Sequence, residues 1–242
     1  MQNGTLYGIG TGPGDPELLT LKAVKILSRV DVVFAASSTG NDHSLAVNIG
    51  AEYLKKDAPV LLLGFPMTRQ KKQLVTAWEK NAQQVIEVLK KGRDAAFLTL
   101  GDPLTYSTFG YLMKTIEEIE PDINVEIVPG ITSFQAGAAA AGHILAEAEE
   151  SLTVVSGALG AKNLKRLIGH TDNVVILKVY RHYQEILKTL HDIGLNKDVT
   201  LISRCGLRDE KIVHDPQQWK DGTPPYLSTL LIKNNKKKAK EL

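Results

Sequence analysis

Short apolar runs alternate with helical patterns through the first half of the chain. Five of these runs predict strands, at residues 6–10, 32–35, 60–63, 95–100 and 125–128. The runs are continuously apolar rather than alternating, as expected for parallel strands that are covered on both faces. Helical spacing of apolar residues fills the intervals, most clearly between Leu74 and Leu89. The alternation predicts an α/β fold that begins with a parallel five-stranded sheet.

The pattern changes after an alanine and glutamate cluster at residues 146–150, where we place a domain boundary. Five more apolar runs follow, at residues 152–155, 174–179, 199–203, 211–214 and 226–232, but only two helical segments separate them. The last two runs are joined by a loop rich in Pro, Gly and Asp, which favours an antiparallel pair. We therefore predict a first α/β domain over 1–147, a second with a mixed five-stranded sheet over 148–232, and a flexible lysine-rich tail over 233–242.

The charge of the chain is concentrated at its end. There are 29 Lys and Arg against 27 Asp and Glu, a net charge of +2, but the last ten residues hold five lysines and one glutamate. Without them, 24 basic residues face 26 acidic ones, which disfavours a nucleic-acid partner. The single Cys205 excludes an intrachain disulfide. With no membrane-length apolar run and no signal-peptide pattern, we expect a cytoplasmic protein without a membrane partner.

Three loops rich in glycine and proline follow strands of the first sheet and form the candidate ligand site. They read GIGTGPGD (8–15), LGDPLTYS (100–107) and VPGITSF (128–134). Ligands bind beyond the carboxyl ends of parallel strands, where helix N-termini also favour anionic groups. A dinucleotide site is disfavoured, because the glycines do not follow G-x-G-x-x-G and the second strand ends without a carboxylate. Simple tight turns stay open as the alternative.

Taken together, these motifs resemble those of the tetrapyrrole methylases, from about Thr5 to Ile232. The strings LTLGDPLTYSTF (98–109), VPGITSF and YLSTLLI (226–232) are most similar to the branch that methylates C-20 of precorrin-2 or of cobalt-factor II in corrin synthesis. The resemblance implies two α/β domains with the active site in the cleft between them. It also implies S-adenosyl-L-methionine as the methyl donor, S-adenosyl-L-homocysteine as the product, a tetrapyrrole substrate and a homodimer.

The resemblance further implies which residues contact each ligand. The donor-binding positions are Pro13, Gly101, Asp102, Thr105, Tyr106, Thr132, Ser133, Leu177, Lys178, Cys205 and Gly206. Leu177 stands where the family often has methionine, so a backbone contact is expected there. The substrate-side candidates are Gly12, Gly14, Asp15, Ser38, His43 and Arg69, with Arg181 and Arg204 as further cations for the substrate's carboxylates. Asp102 is the candidate for removing the departing ring proton, and ligand positioning is its alternative role.

Other chemistries leave no pattern in the chain. The six histidines lack metal-binding spacing, and no Ser/His/Asp set or G-x-S-x-G string stands out, so we predict neither a protein metal site nor covalent catalysis. Three alternatives stay open. The first is another methylase of the same fold, acting on a different ring carbon, on uroporphyrinogen III or, in diphthamide fashion, on a protein. The others are a nucleotide-dependent oxidoreductase and a non-catalytic binding module.

Overall fold

The computed structural model describes residues 2–37, 44–161, 164–168, 171–195, 198–220 and 222–234. The chain divides into two compact units, Met1–Thr132 and Ser133–Leu242. Each unit is built on one five-stranded sheet. Within the described ranges, no helix has both the length and the apolar character needed to cross a membrane.

The first unit contains a parallel sheet, as predicted from its continuous apolar runs. Its strands are β1 (Leu6–Gly10), β2 (Val32–Ser37), β3 (Val60–Gly64), β4 (Ala95–Thr99) and β5 (Val125–Val128). They lie in the order β3-β2-β4-β1-β5, and every neighbouring pair is parallel. The helices described in this unit are α1 (Leu21–Leu27), α2 (Leu45–Gly50), α3 (Lys71–Leu89) and α4 (Phe109–Ile119).

Apolar clusters cover both faces of this sheet. Phe34, Phe97 and Phe109 belong to the cluster that includes α3 and α4, whereas Ile9 and Val33 belong to the one that includes α1. Because both faces are buried, the strands are apolar at consecutive positions rather than at every second one. Because all five strands are parallel, their carboxyl ends lie at the same edge of the sheet.

The second unit contains a mixed sheet, which confirms the predicted fold class. Its elements are α5 (Ser133–Ala141), β6 (Leu152–Ser156), α6 (Leu164–Ile168), β7 (Asn173–Leu177), α7 (Tyr183–Asp192), β8 (Val199–Ser203), β9 (Lys211–Val213) and β10 (Ser228–Lys233). The strand order is β6-β7-β10-β8-β9. β6 and β7 are parallel, while β10 is antiparallel to both β7 and β8, and β9 is antiparallel to β8.

The expected antiparallel pairing of the last two strands is wrong. β8 lies between β9 and β10, and both run antiparallel to it, so they point in the same direction. The hairpin forms instead between β8 and β9, where Gly206 N donates to Glu210 Oε2 at 2.7 Å. The longer loop before β10 carries the chain across β8, so a non-helical connection did not imply a neighbouring strand.

The two units divide earlier in the chain than the predicted boundary after residue 147. The division falls between Thr132 and Ser133, because α5 packs on the second sheet. Phe134 and Ala138 of this helix join the cluster that covers one face of that sheet. A Cβ on Gly137 would stand 3.2 Å from Cδ1 of Ile202, so the helix approaches β8 closely. The composition change near residue 146 marks the loop after this helix.

The last strand also extends one residue into the predicted tail. Lys233 ends β10, pairs with Asn173 in the ladder and forms an ion pair with Glu147 at 2.8 Å. These contacts place it in the folded sheet rather than in a flexible terminus. The remaining tail residues, 235–242, lie outside the described part of the chain.

Candidate functional site

The first and second glycine loops of the first unit are joined by their backbones. They follow β1 and β4, which are neighbours in the sheet. Gly101 N donates to Gly12 O at 2.7 Å, and Gly12 N donates to Gly101 O at 3.3 Å. The strand order therefore brings these two motifs together, as their positions after parallel strands predict.

The third loop joins them through glycines that leave no space for a side chain. A Cβ on Gly130 would lie 2.2 Å from Gly101 O, and one on Gly10 would lie 2.4 Å from the same oxygen. Gly101 and Gly12 also have φ values of +71° and +75°, which favour glycine. Close backbone approach around the Gly101 carbonyl thus accounts for a glycine in each of the three motifs.

Asp102 ties the second loop to the third. Its Oδ1 accepts hydrogen bonds from Leu104 N at 2.9 Å and from Thr105 Oγ1 at 3.1 Å. Its Oδ2 accepts a hydrogen bond from Gly130 N at 3.3 Å. A carboxylate with three protein donors is suited to holding the loops in register. These contacts give Asp102 a structural role in the loops, while proton removal and ligand positioning stay predictions.

The second loop presents two apolar side chains to solvent. Leu104 is 59% exposed and Tyr106 is 49% exposed. Tyr106 also has a φ of +52°, which is unusual for a residue with a side chain and is one of the strained conformations that cluster at functional sites. Ser107 anchors the end of the loop, since its hydroxyl lies 2.9 Å from Thr99 Oγ1 and accepts a hydrogen bond from Phe109 N. The loop is thus a fixed support for exposed apolar groups.

The first loop is held beside β4 by a buried threonine. The N–H and the hydroxyl of Thr11 both donate to Thr99 O, at 2.9 and 3.2 Å. Pro13 and Gly14 are buried next to it. The Asp15 carboxylate accepts a hydrogen bond from Glu17 N at 2.9 Å, so it caps the short 3₁₀ turn Pro16–Leu18. The substrate contact predicted for Asp15 stays a prediction.

Arg69 is the only described residue among the three substrate-side candidates outside the first loop. It is exposed in the segment between β3 and α3, and β2 separates its strand from β4. No hydrogen bond or ion pair among the described residues connects it to the glycine loops. Ser38 and His43 lie outside the described residues, so their predicted contacts stay predictions.

Thr132 and Ser133 lie on either side of the division between the units. Thr132 is the last residue of the first unit, and its Cα would lie 4.0 Å from a Cβ on Gly101. Ser133 is the first residue of α5 in the second unit. Both residues are partly exposed. The structure thus places Thr132 beside the second loop, whereas the donor contacts of the pair stay a prediction.

The predicted residues of the second unit share one edge of its sheet. β7 and β8 are both antiparallel to β10, so their carboxyl ends flank the segment that enters β10. Arg204 N donates to Leu227 O at 2.7 Å and fixes one side of that segment. This edge brings together four of the five donor-side candidates of the unit, Leu177, Lys178, Cys205 and Gly206, while Ser133 begins α5.

Backbone strain is concentrated at the same edge. Lys178 follows β7 with a φ of +58°, and Arg204 follows β8 with a φ of +54°. A left-handed conformation costs a residue with a side chain roughly 1–2 kcal/mol, and such strain clusters at ligand sites. Burial also lowers the pKa of the Lys178 ammonium group, because the charged form loses hydration. These two turns hold their backbone in a conformation that the flanking strands must stabilise.

Cys205 has a structural environment rather than a reactive one. Burial and the neighbouring Glu210 carboxylate raise the pKa of its thiol to about 12. The thiol is therefore protonated at neutral pH and a poor nucleophile. Sequence reasoning missed Glu210, whose carboxylate also accepts the bond from Gly206 N. A glutamate in a polar turn carries no pattern that would single it out.

Two α/β units with glycine loops at the carboxyl edge of a parallel sheet define a ligand-binding enzyme fold. The model of the family described as Tetrapyrrole (Corrin/Porphyrin) Methylases matches residues 5–218. The chain therefore belongs to the tetrapyrrole methylases.

Two relatives align over nearly the whole chain. The cobalt-precorrin-2 C(20)-methyltransferase of Salmonella typhimurium is 33% identical, with 95% of this chain and 96% of the relative covered. A precorrin-2 C(20)-methyltransferase from a Sinorhizobium species is 32% identical, with 95% of each chain covered. The first name specifies a cobalt-bearing substrate and the second does not.

Two solved structures share the fold. A cobalt-precorrin-4 methyltransferase superposes with a TM-score of 0.72 at 25% identity, covering 95% of this chain and 94% of its own. A uroporphyrin-III C-methyltransferase from Thermus thermophilus, complexed with S-adenosyl homocysteine, gives a TM-score of 0.66 at 25% identity. It covers 94% of this chain and 97% of its own.

Proposed function

We propose that this protein transfers a methyl group from S-adenosyl-L-methionine to C-20 of precorrin-2 or of its cobalt-bearing counterpart, cobalt-factor II, in corrin synthesis. The observation that carries the proposal is the meeting of the three loops around the Gly101 carbonyl, with motifs similar to those of the C-20 branch. Both relatives named above act at C(20) by name, which supports the same position here.

The residues present fit a methyl donor with polar ends and an adenine ring. Glycines at 10 and 130 let the three loops meet at the Gly101 carbonyl, and those at 12 and 101 adopt positive φ values that favour glycine. We assign the donor contacts of the first unit to Pro13, Gly101, Asp102, Thr105, Tyr106 and Thr132. Those of the second unit are assigned to Ser133, Leu177, Lys178, Cys205 and Gly206. The homocysteine-containing ligand of the Thermus relative supports this choice of donor.

The reaction requires little covalent chemistry from the protein, because the methyl group passes directly from donor to substrate. The methyl carbon leaves the sulfonium sulfur, which keeps the electron pair, and bonds to the ring carbon, which then releases its proton. Holding the two reactants at near-attack distance can contribute roughly 7–11 kcal/mol. Rigid loops such as those locked by Asp102 and the three glycines suit that task. Asp102 acts here by positioning the loops.

We also propose that the protein is a homodimer. β3 is an edge strand of the first sheet, and its consecutive residues Val60, Leu61 and Leu62 are 39%, 44% and 37% exposed. An apolar edge strand offers both unpaired backbone groups and side chains, and two copies can pair through a two-fold axis. Blocking this edge should therefore give a monomer.

A reducing, cytoplasmic location completes the proposal. The only cysteine of the chain, Cys205, is a free thiol, and its burial makes it unsuited to an intermolecular disulfide. Such cysteine usage is typical of the cytoplasm. Cell fractionation with antibody detection would test it, and recovery in a periplasmic or secreted fraction would contradict it.

The test of the activity is a methyl-transfer assay with each tetrapyrrole and S-adenosyl-L-methionine, with the methylated carbon assigned by NMR. We expect one methyl group at C-20. A product methylated at another carbon would assign the chain to a different branch of the family. Calorimetry with S-adenosyl-L-homocysteine and with NAD distinguishes a methyl-donor site from a dinucleotide site. We expect S-adenosyl-L-homocysteine to bind and NAD not to bind.

A further inference from the structure

A pair of tyrosines lies just beyond the end of the ladder between β7 and β10 in the second sheet. The ladder between β7 and β10 pairs Leu177 with Thr229. Beyond that pair the chain leaves the strand at Lys178 and forms the 3₁₀ turn Val179–His182, which carries Tyr180. The Tyr180 and Tyr226 rings pack edge to face with centroids 5.1 Å apart at 70°. Tyr226 is nevertheless 48% exposed. One aromatic ring thus supports another that stands open at the edge of the sheet.

An arginine is held against this pair. The guanidinium carbon of Arg181 lies 5.3 Å from the centroid of the Tyr180 ring, a cation–π contact, and the side chain is exposed. Among the described residues, Arg181 has no carboxylate within ion-pair distance. Arg204, on the other side of the β10 entry, is already paired with Asp209 at 2.5 Å. Arg181 is thus a positioned cation without an internal counterion among those residues.

The location of this cluster connects it to the ligand edge of the second unit. Tyr180 and Arg181 come three and four residues after Leu177, and Lys178, directly after Leu177, has the strained φ of +58°. On the other side, Arg204 N holds Leu227 O, the neighbour of Tyr226. Both segments that carry the tyrosines are therefore fixed by the turns to which we assign donor contacts. An edge built this way presents a ring and a cation in a constant arrangement.

We propose that Tyr226, Tyr180 and Arg181 recognise the tetrapyrrole substrate. This inference rests on the proposed function and adds a substrate-binding surface to it. A conjugated macrocycle with carboxylate side chains offers the two groups that this cluster complements, a ring face for Tyr226 and a carboxylate for the planar guanidinium of Arg181. The Tyr180 ring keeps that guanidinium oriented, which lowers the entropy lost on binding.

The test is equilibrium binding of uroporphyrin, a stable porphyrin with carboxylate side chains, followed by porphyrin fluorescence in the presence of S-adenosyl-L-homocysteine. Arg181→Gln should weaken binding about tenfold, the effect of losing one charge-assisted hydrogen bond. Arg166→Gln, an exposed arginine of α6, is the matched control and should bind like the wild type. Tyr226→Phe should retain most of the affinity, whereas Tyr226→Ala should lose it.

Calorimetry of S-adenosyl-L-homocysteine with the same variants excludes a general loss of structure, and its dissociation constant should stay within twofold of the wild type. The inference is overturned if the wild type does not bind uroporphyrin, if Arg181→Gln binds it as Arg166→Gln does, or if donor affinity falls in parallel. If the Arg181 effect is found but no methyl transfer to either tetrapyrrole occurs, the binding surface stands and the proposed function fails.

Discussion

The carboxylate of Asp102 accepts a hydrogen bond from the backbone N–H of Gly130 at 3.3 Å, which connects the loops that follow β4 and β5. The same side chain accepts bonds from Leu104 N and Thr105 Oγ1 within its own loop. One residue therefore fixes both the shape of its loop and the distance to the next. The Gly-Asp-Pro string therefore has a structural role, which is to hold these two loops together.

Asp102→Ala should weaken binding of S-adenosyl-L-homocysteine about 10- to 100-fold, since it removes three hydrogen bonds to a charged acceptor. Asp102→Asn should be milder, because its amide oxygen can still accept from Leu104 N or Gly130 N. Calorimetry gives the affinities, and Asp122→Asn, an exposed aspartate before β5, is the control. If Asp102→Asn abolished turnover at saturating donor while binding stayed normal, proton removal would be its role instead.

Gly130→Ala should destabilise the first unit by a few kcal/mol or distort the loops, because its Cβ would lie 2.2 Å from Gly101 O and backbone atoms have little room to shift. Gly110→Ala is the matched change, since nothing lies within 4 Å of a Cβ there and it is within α4. That variant should be stabilised by about 0.5–1 kcal/mol. Denaturant unfolding measures both, and equal stability of the two variants would refute the close approach.

Stability should decline at high pH because of Tyr183. Its buried hydroxyl donates to Pro216 O at 2.7 Å, and burial raises the pKa of the phenol to about 12 from an ordinary value of 10.0. Between these two pH values the unfolded chain loses the proton while the folded one keeps it. The free energy of unfolding therefore falls as pH rises through this window, and the Cys205 thiol adds to the fall from about pH 9.

Tyr183→Phe should make that decline shallower and should lower stability at pH 8 by about 1–3 kcal/mol, because the Pro216 carbonyl loses its donor. Urea unfolding at a series of pH values is the measurement. Tyr111→Phe, at a half-exposed tyrosine, should leave both quantities unchanged. A wild-type pH profile reproduced by Tyr183→Phe would show that this phenol does not control the slope.

Leu61→Lys should convert the proposed dimer into a monomer, because it places a charge in the exposed apolar edge of β3. Leu152→Lys changes a similarly exposed leucine (38%, against 44% for Leu61) on β6, an edge strand of the second sheet, and should leave the mass unchanged. Sedimentation velocity distinguishes the two. A wild-type protein that sediments as a monomer, or a Leu61→Lys dimer, would contradict pairing through β3.

The strands could be predicted well because their apolar runs are long and continuous. β1, β5 and β8 coincide with the predicted ranges, and the others differ at their ends by a few residues. Pairing in the second sheet was not predictable in the same way, since a polar loop does not reveal how many strands it crosses. The insertion of β10 between β7 and β8 depends on contacts between residues far apart in the chain.

Part of the candidate site could also be predicted from the sequence, and part could not. The meeting of the three glycine motifs at one sheet edge could be predicted, because each motif follows a strand of the parallel sheet. The structural role of Asp102 could not be predicted from the sequence, because its hydrogen bond with Gly130 N joins two separate loops. The Tyr180–Tyr226 contact could not be predicted from the sequence either, since it depends on β10 lying beside β7.

The most direct measurement is methyl transfer from S-adenosyl-L-methionine to precorrin-2 and to cobalt-factor II, assayed side by side under anaerobic conditions. NMR of the product identifies the methylated carbon, and the relative kcat/KM values identify the preferred substrate. The proposed function predicts one methyl group at C-20 of at least one substrate, with S-adenosyl-L-homocysteine formed in equal amount. Methylation at a different carbon, or no transfer to either tetrapyrrole by a protein that binds the donor, would contradict it.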